Sequence, residues 1–175
     1  KNKKTIYALI PEELHHLKPV GRLDKDSTGL IILTNDGEFI NEMTHPSIKV
    51  PKVYLVHIDG RFTAENAEKM LNGIVIETDS GEKKTAYAET LPIEVNSKSS
   101  EIQVVLYQGI NRQIRKMFAK LGFEVKSLKR IQHATLTLEG LKRGQIKAIK
   151  PKQVKELKGY IAKIKREYAQ NSNNG

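Results

Sequence analysis

The 175-residue chain contains no cysteine and no tryptophan. The first absence excludes disulfides, thiolate metal sites and cysteine nucleophiles, and fits a reducing compartment. The second removes the strongest stacking residue, so any aromatic surface must come from tyrosine or phenylalanine. No apolar run approaches the ~18 residues that a membrane helix needs. A secretory leader is not recognisable in the opening Lys1-Asn2-Lys3-Lys4. The phosphate-cradling pattern Gly-x-x-x-x-Gly-Lys is missing, which argues against a nucleoside triphosphatase. His15 and His16 are adjacent, and His45, His57 and His133 are scattered, so no metal site is expected.

What is present is basic charge, unevenly placed. The net charge is +10. Residues 1–108 are slightly acidic, whereas residues 109–150 hold 11 basic against 2 acidic side chains and residues 151–175 hold 6 against 2. A mildly acidic first part joined to a strongly basic second part suits a polyanionic partner, although a solvated basic face explains charge alone equally well. The apolar fraction of 38% with 29% charged residues is that of a globular chain.

The pattern predicts an α+β fold rather than a strict βαβ repeat. Pro11-Glu12-Glu13-Leu14 reads as a helix first turn. Leu30 to Thr34 reads as a buried strand, followed by a helix capped by Asp36 that runs through Met43. Strands are expected over Val53–Ile58, Ile74–Glu77, Ala86–Val95 and Glu101–Tyr107, with Val125–Leu138 extended. Thr63 caps a helix whose stripe is Ala67, Met70 and Leu71, ended by Gly73. Asn111 is expected to cap a helix with Ile114, Met117, Phe118 and Leu121 on one face and Gly122 as its stop. Pro151 opens a last helix through Tyr168, with a frayed polar tail behind it.

Three segments offer chemistry. In Gly21-Arg22-Leu23-Asp24-Lys25-Asp26-Ser27-Thr28-Gly29-Leu30, two glycines frame a polar loop that enters a buried run. Asp24 thus stands at the mouth of a rigid element, with Arg22 and Lys25 near enough to keep it ionised. On these residues alone a plain turn is the commoner explanation. Tyr54, in Lys52-Val53-Tyr54-Leu55-Val56, is either a core aromatic or the floor of a base-stacking pocket. In Asn111-Arg112-Gln113-Ile114-Arg115-Lys116-Met117, three cations crowd the positive end of a helix dipole. That placement costs stability unless an anion sits there, either a phosphate or a carboxylate such as Asp24.

These segments together resemble the RsuA/RluB/RluE/RluF family of ribosomal RNA pseudouridine synthases. The likeness runs through Pro19-Val20-Gly21-Arg22-Leu23-Asp24, Thr28-Gly29-Leu30, Leu33-Thr34-Asn35-Asp36-Gly37, His45-Pro46-Ser47 and Lys52-x-Tyr54. It continues through Gly109-x-Asn111-Arg112-Gln113-Ile114-Arg115-Lys116-Met117, Leu128-x-Arg130, and Leu136-x-Leu138-x-Gly140-Leu141 with Gly144. It spans about residues 5–150 in order, which is far more specific than one short motif.

The resemblance implies a pseudouridine synthase fold, a mixed and mostly antiparallel sheet with flanking helices and a central cleft. It implies isomerisation of uridine to pseudouridine in ribosomal RNA, with no cofactor and no metal. Asp24 matches the catalytic aspartate, Tyr54 the tyrosine that packs on the target base, and Arg115 the basic residue that pairs with the aspartate. Leu128 matches an apolar residue lining the pocket. Arg22, Asn111, Arg112, Lys116, Lys129 and Arg130 are expected to touch RNA. His45-Pro46-Ser47 and the Asn-Arg-Gln-Ile-Arg form favour a large-subunit (23S over 16S) target. A monomeric cytoplasmic enzyme is expected.

Residues 1–150 are read as the catalytic domain and 151–175 as a basic C-terminal helix and tail. The family's small N-terminal α-L RNA-binding module is not found, so the linker-like start suggests a catalytic-domain fragment. Two other functions compete. A non-catalytic RNA-binding or ribosome-associated module would use the basic 109–150 segment and would not need Asp24. A hydrolase of the N-glycosidic bond would want a second carboxylate to activate water, for which Asp26 is near only in sequence.

Overall fold

The computed structural model describes residues 5–175; the linker-like Lys1–Lys4 lies outside the described residues. The opening segment forms two short 3-10 turns, Ile6–Leu9 and Glu12–Leu14. The expected helix at Pro11 therefore stops after one turn. It has no buried residue to hold it against the body.

Next come β1 (Lys18–Pro19), β2 (Thr28–Gly29) and β3 (Leu33–Thr34), with β1 antiparallel to β3. The strand expected over Leu30–Thr34 is thus split, a correction with a clear cause. Leu30 donates its N–H across to the Arg130 carbonyl at 2.8 Å, while the Ile32 carbonyl accepts from Val20 N–H at 2.8 Å. Two different partners pull the two ends of the run, so it cannot stay one straight strand. Helix α1 (Gly37–Thr44) follows, and Asp36 caps it by accepting from Phe39 N–H.

The central sheet is built on β4 (Lys52–Asp59). Helix α2 (Ala64–Asn72) has the Thr63–Asn66 capping box at its start. Met70 is buried and Ala67 partly so, but Leu71 is 59% exposed, which removes it from the expected stripe. Strands β5 (Ile74–Glu77) and β6 (Lys83–Ala86) pair as a separate hairpin; β7 (Glu89–Val95) and β8 (Ser99–Leu106) pair beside β4. The run expected as one strand over Ala86–Val95 divides at Tyr87-Ala88, because Ala86 pairs with Ile74 on β5 whereas Glu89–Val95 pairs with β8.

Helix α3 (Gln113–Lys120) leads into β9 (Val125–His133) and β10 (Leu136–Thr137). The strand order is β10-β9-β4-β8-β7, all antiparallel, and β2 adds to the outer side of β9 in parallel. The sheet is therefore mixed and mostly antiparallel.

Two cores result. Val56, Ile58, Ile102, Val104, Leu106 and Leu128 present one sheet face to Met70, Ile114, Met117 and Phe118. The second core joins Val20, Ile32, Phe39, Met43, Val50 and Ala134 to the last helix, α4 (Pro151–Asn173), through Leu157 and Ile161. Each of those two α4 side chains is worth about 1.5–3 kcal/mol on burial, so this helix is stitched to the body over its first half.

Candidate functional site

The candidate loop between β1 and β2 is held from three sides. Ser27 N–H donates to the Asp24 carbonyl at 2.9 Å, closing a turn. Gly29 pairs with Arg130 on β9, with φ at +114°, and a Cβ placed on it would stand 2.2 Å from the Arg130 carbonyl oxygen. Only glycine can let the two backbones approach this closely. Arg130 then reaches back under the loop: Nε donates to the Leu30 carbonyl at 2.8 Å and Nη1 to the Arg22 carbonyl at 3.4 Å.

Arg130 is 2% exposed, so its expected contact with RNA is corrected. Its guanidinium is turned inward and serves as the loop's anchor. Lys129, its neighbour, is exposed. Arg22 is exposed at the start of the same loop.

The third hold comes from α3. Arg112 and Arg115 do meet a carboxylate of the loop, but it is Asp26 and not Asp24. Arg112 grips Asp26 with both Nη atoms, at 3.0 and 3.1 Å. Arg115 Nη2 donates to the Asp26 carbonyl at 2.9 Å, and its Nε lies 3.5 Å from Asp26 Oδ1. The fork from Arg112 holds the Asp26 carboxyl below the usual carboxylate range, against the opposing effect of burial and with further help from the Arg115 charge. Lys116 pairs with Asp79 at 3.1 Å on the β5–β6 turn.

The cations at this helix start thus have anions, as the dipole argument required. Both are surface carboxylates, which makes each pair worth at most about 1 kcal/mol. Asn111 does not cap the helix as expected: its side-chain amide donates to Asp79 instead. The residue entering the helix is Arg112, in the left-handed region at φ 55°. A non-glycine residue held there costs about 1–3 kcal/mol and usually marks a site under functional constraint.

Asp24 itself is partly buried, and its side chain makes no hydrogen bond or ion pair among the described residues. Its charge is felt by Arg112, whose pKa is raised first by the bond to Asp26 and further by the Asp24 carboxylate. A carboxylate without a partner is chemically able to act as a base or a nucleophile.

Tyr54 lies on the core-facing side of β4, partly buried, directly opposite Arg130. Leu128 on β9 is 5% exposed and faces the same core. Arg130, opposite Tyr54 on the sheet and bonded to the Leu30 and Arg22 carbonyls, therefore ties the loop that carries Asp24 to the strand pair that carries Tyr54 and Leu128.

Three residues to which the sequence motifs assign no role belong here. Gln113, 2% exposed, accepts from Ile110 N–H and donates to the Tyr87 carbonyl, fixing the approach to α3. Its signal was a polar residue on the buried face of the helix. Lys52 shares the face of Tyr54, as its i, i+2 spacing allowed one to see. His133 joins them only because of a β-bulge, which no sequence pattern announced. Among the described residues, no cluster of His, Asp and Glu is placed to hold a metal ion, and no helix is long and apolar enough to cross a membrane.

Comparison with known proteins places these features in context. The family model described as RNA pseudouridylate synthase matches residues 1–120. The ribosomal large subunit pseudouridine synthase B of Bacillus subtilis is 37% identical over 158 residues, covering 90% of this chain and 64% of that protein. The dual-specificity RNA pseudouridine synthase RluF of Escherichia coli is 37% identical over 127 residues, 73% of this chain and 41% of that protein. A crystal structure of a pseudouridylate synthase superposes with a TM-score of 0.79 at 28% identity, covering 87% of this chain and 65% of that one. The chain thus spans less than two thirds of each of these proteins.

Proposed function

This chain belongs to the RNA pseudouridylate synthase family, and from that premise we propose that it converts uridine to pseudouridine in ribosomal RNA. The observation that carries the reading is the unpaired Asp24 carboxylate, on a loop that Gly29, Arg130 and Arg115 hold over the sheet. A binding module has no use for a carboxylate kept free at such structural cost.

The reaction breaks the bond between C1′ and N1, turns the freed uracil, and rejoins it through C5. Asp24 attacks the sugar or takes a sugar proton, and on either course it must be ionised and unpaired. The target nucleotide leaves its stack first. Tyr54 packs on the base, with Leu128 behind it. Arg115 acts on the loop backbone, setting where Asp24 points. Exposed Arg22 and Lys129, with the outer edges of Arg112, Lys116 and Asn111, face the RNA strand. Residues 1–150 supply the catalytic unit, and α4, packed through Leu157 and Ile161, steadies it.

The substrate is large-subunit RNA, supported by the names of the relatives, and the enzyme works as a monomer in the cytoplasm without a cofactor. The test is pseudouridine mapping in ribosomal RNA from cells with and without the gene, paired with tritium release from RNA labelled at C5 of uridine. Asp24→Asn should abolish release while RNA affinity is kept. Near-normal release would sink the assignment.

A further inference from the structure

One group of side chains is left over by this account. Lys52 stands two residues before Tyr54 on the same face of β4. The ladder between β4 and β9 pairs Lys52 with His133 and Tyr54 with Arg130, with a register shift between them. Arg130 and His133 are three apart and would normally point to opposite faces. The extra residue of the bulge turns both to the side of Lys52 and Tyr54, which is how bulges beside active sites re-aim side chains.

The resulting cluster is unsatisfied. Arg130 and His133 are each 2% exposed. Arg130 Nη2 and both ring nitrogens of His133 have no hydrogen-bond partner. The Lys52 ammonium lies against Gly109, 3.6 Å from where a Cβ there would stand, and among the described residues it has no acidic partner. Buried donors and unpaired charge of this kind are destabilising unless a partner arrives. Burial, with the Arg130 charge beside it, pushes Lys52 down to about 8, so it remains mostly cationic at neutral pH. The same burial pushes the His133 ring down to about 3, so it is neutral and offers one N–H. A site with cationic and neutral donors, no anion of its own and one partly exposed member is built to receive negative charge.

The proposed reaction makes negative charge beside it. When the C1′–N1 bond breaks, its electron pair leaves with the base, giving a uracil anion spread over N1 and the carbonyl oxygens, while C1′ is taken by the Asp24 carboxylate or loses the neighbouring sugar proton to it. When C5 rejoins C1′, the C5 proton departs and N1 is protonated. A base lying on Tyr54 is about 7 Å along the strand from Lys52, which is within reach of a lysine stem. We propose that Lys52, backed by Arg130 and His133, stabilises the uracil anion while the base is detached. This rests on the functional reading above.

The experiment uses the full-length protein and RNA carrying uridine or 5-fluorouridine at the target, and reads single-turnover breakage of the C1′–N1 bond as loss of the starting nucleoside, because 5-fluorouridine has no C5 proton to release. Fluorine stabilises the uracil anion by itself, so the fluorinated base needs less help in leaving. Lys52→Met keeps the stem and removes the charge, and losing a buried charge of this kind does not threaten folding; Lys52→Gln is a second neutral variant. Both should slow the uridine substrate by about 10²–10³, the usual loss of one preorganised charge-stabilising donor. They should slow the 5-fluorouridine substrate at least tenfold less, with RNA affinity unchanged, and Lys52→Arg should recover part of the rate. Equal slowing of both substrates would overturn the proposal in favour of a structural role. Loss of affinity at unchanged rate would overturn it in favour of a phosphate contact. A wild-type protein that forms no pseudouridine would instead refute the functional reading on which it rests.

Discussion

Gly29→Ala is the sharpest probe of how the loop is held. Gly29 sits at φ +114°, and an added Cβ would stand 2.2 Å from Arg130 O and 2.6 Å from Arg130 N. Those are backbone atoms of a central strand, so no side chain can swing aside. Normal contact requires a shift of about 1 Å between loop and strand. The positive φ adds about 1–2 kcal/mol for any residue with a Cβ. The shift breaks or stretches two bonds of 2.8 Å, Leu30 N–H to the Arg130 carbonyl and Arg130 Nε to the Leu30 carbonyl. At about 1 kcal/mol each, and more for the charged donor, the total loss is about 3–5 kcal/mol. For a chain of this size that lowers Tm by roughly 6–20 °C. A 1 Å displacement of Asp24 also costs about 10² in turnover. Thermal unfolding reads the first effect and tritium release from labelled RNA, measured well below Tm, the second. A variant that keeps Tm within 2 °C or so, or full turnover, would refute the claim that loop and strand are locked at this point.

The arginines at the start of α3 should behave as the observed pairs dictate. Arg115→Ala should lose only about 1 kcal/mol, because the Asp26 carbonyl it holds at 2.9 Å is exposed and water can replace the bond. Its coupling to Asp26→Asn in a thermodynamic cycle should stay below about 1 kcal/mol, because the Asp26 side chain is 49% exposed; a coupling of several kcal/mol would mean a buried pair. Salt dependence should separate neighbours on β9: Lys129→Ala should reduce the slope of log affinity for RNA by about 0.7, whereas Arg130→Ala should leave the slope alone and lower Tm. His133 gives a pH prediction. Its ring, pushed down to about 3 by burial, is protonated far more easily in the unfolded chain, near 6.5. Its contribution is therefore complete above about 6.5 and is lost as pH falls toward 3, so His133→Gln should flatten the acid slope of Tm against pH.

What could be read in the sequence was whatever neighbours in the chain decide. Asp36 and Thr63 announced their helices because a cap needs only the next turn. Ile114, Met117 and Phe118 announced the buried face of α3 by spacing alone. The split of Leu30–Thr34 and the inward turn of Arg130 depend on a pairing between residues 100 positions apart, and the placement of His133 depends on a bulge in that same ladder. Local pattern carries no trace of either.

The exchange of Asp24 for Asp26 has the same origin. Charge at the helix start required an anion, and the loop offered two carboxylates. Which of them meets the helix is decided by the Asp24–Ser27 turn and by where β9 receives Gly29. The arrangement found suits the proposed chemistry better than a direct pair. A bidentate salt bridge to Asp24 would have to be broken, and its charge spread reduced, before the carboxylate could act on a sugar carbon or proton. Arg112 and Arg115 clamp Asp26 instead and position Asp24 through two peptide units. The loop gains its stiffness from one carboxylate and leaves the other free to react.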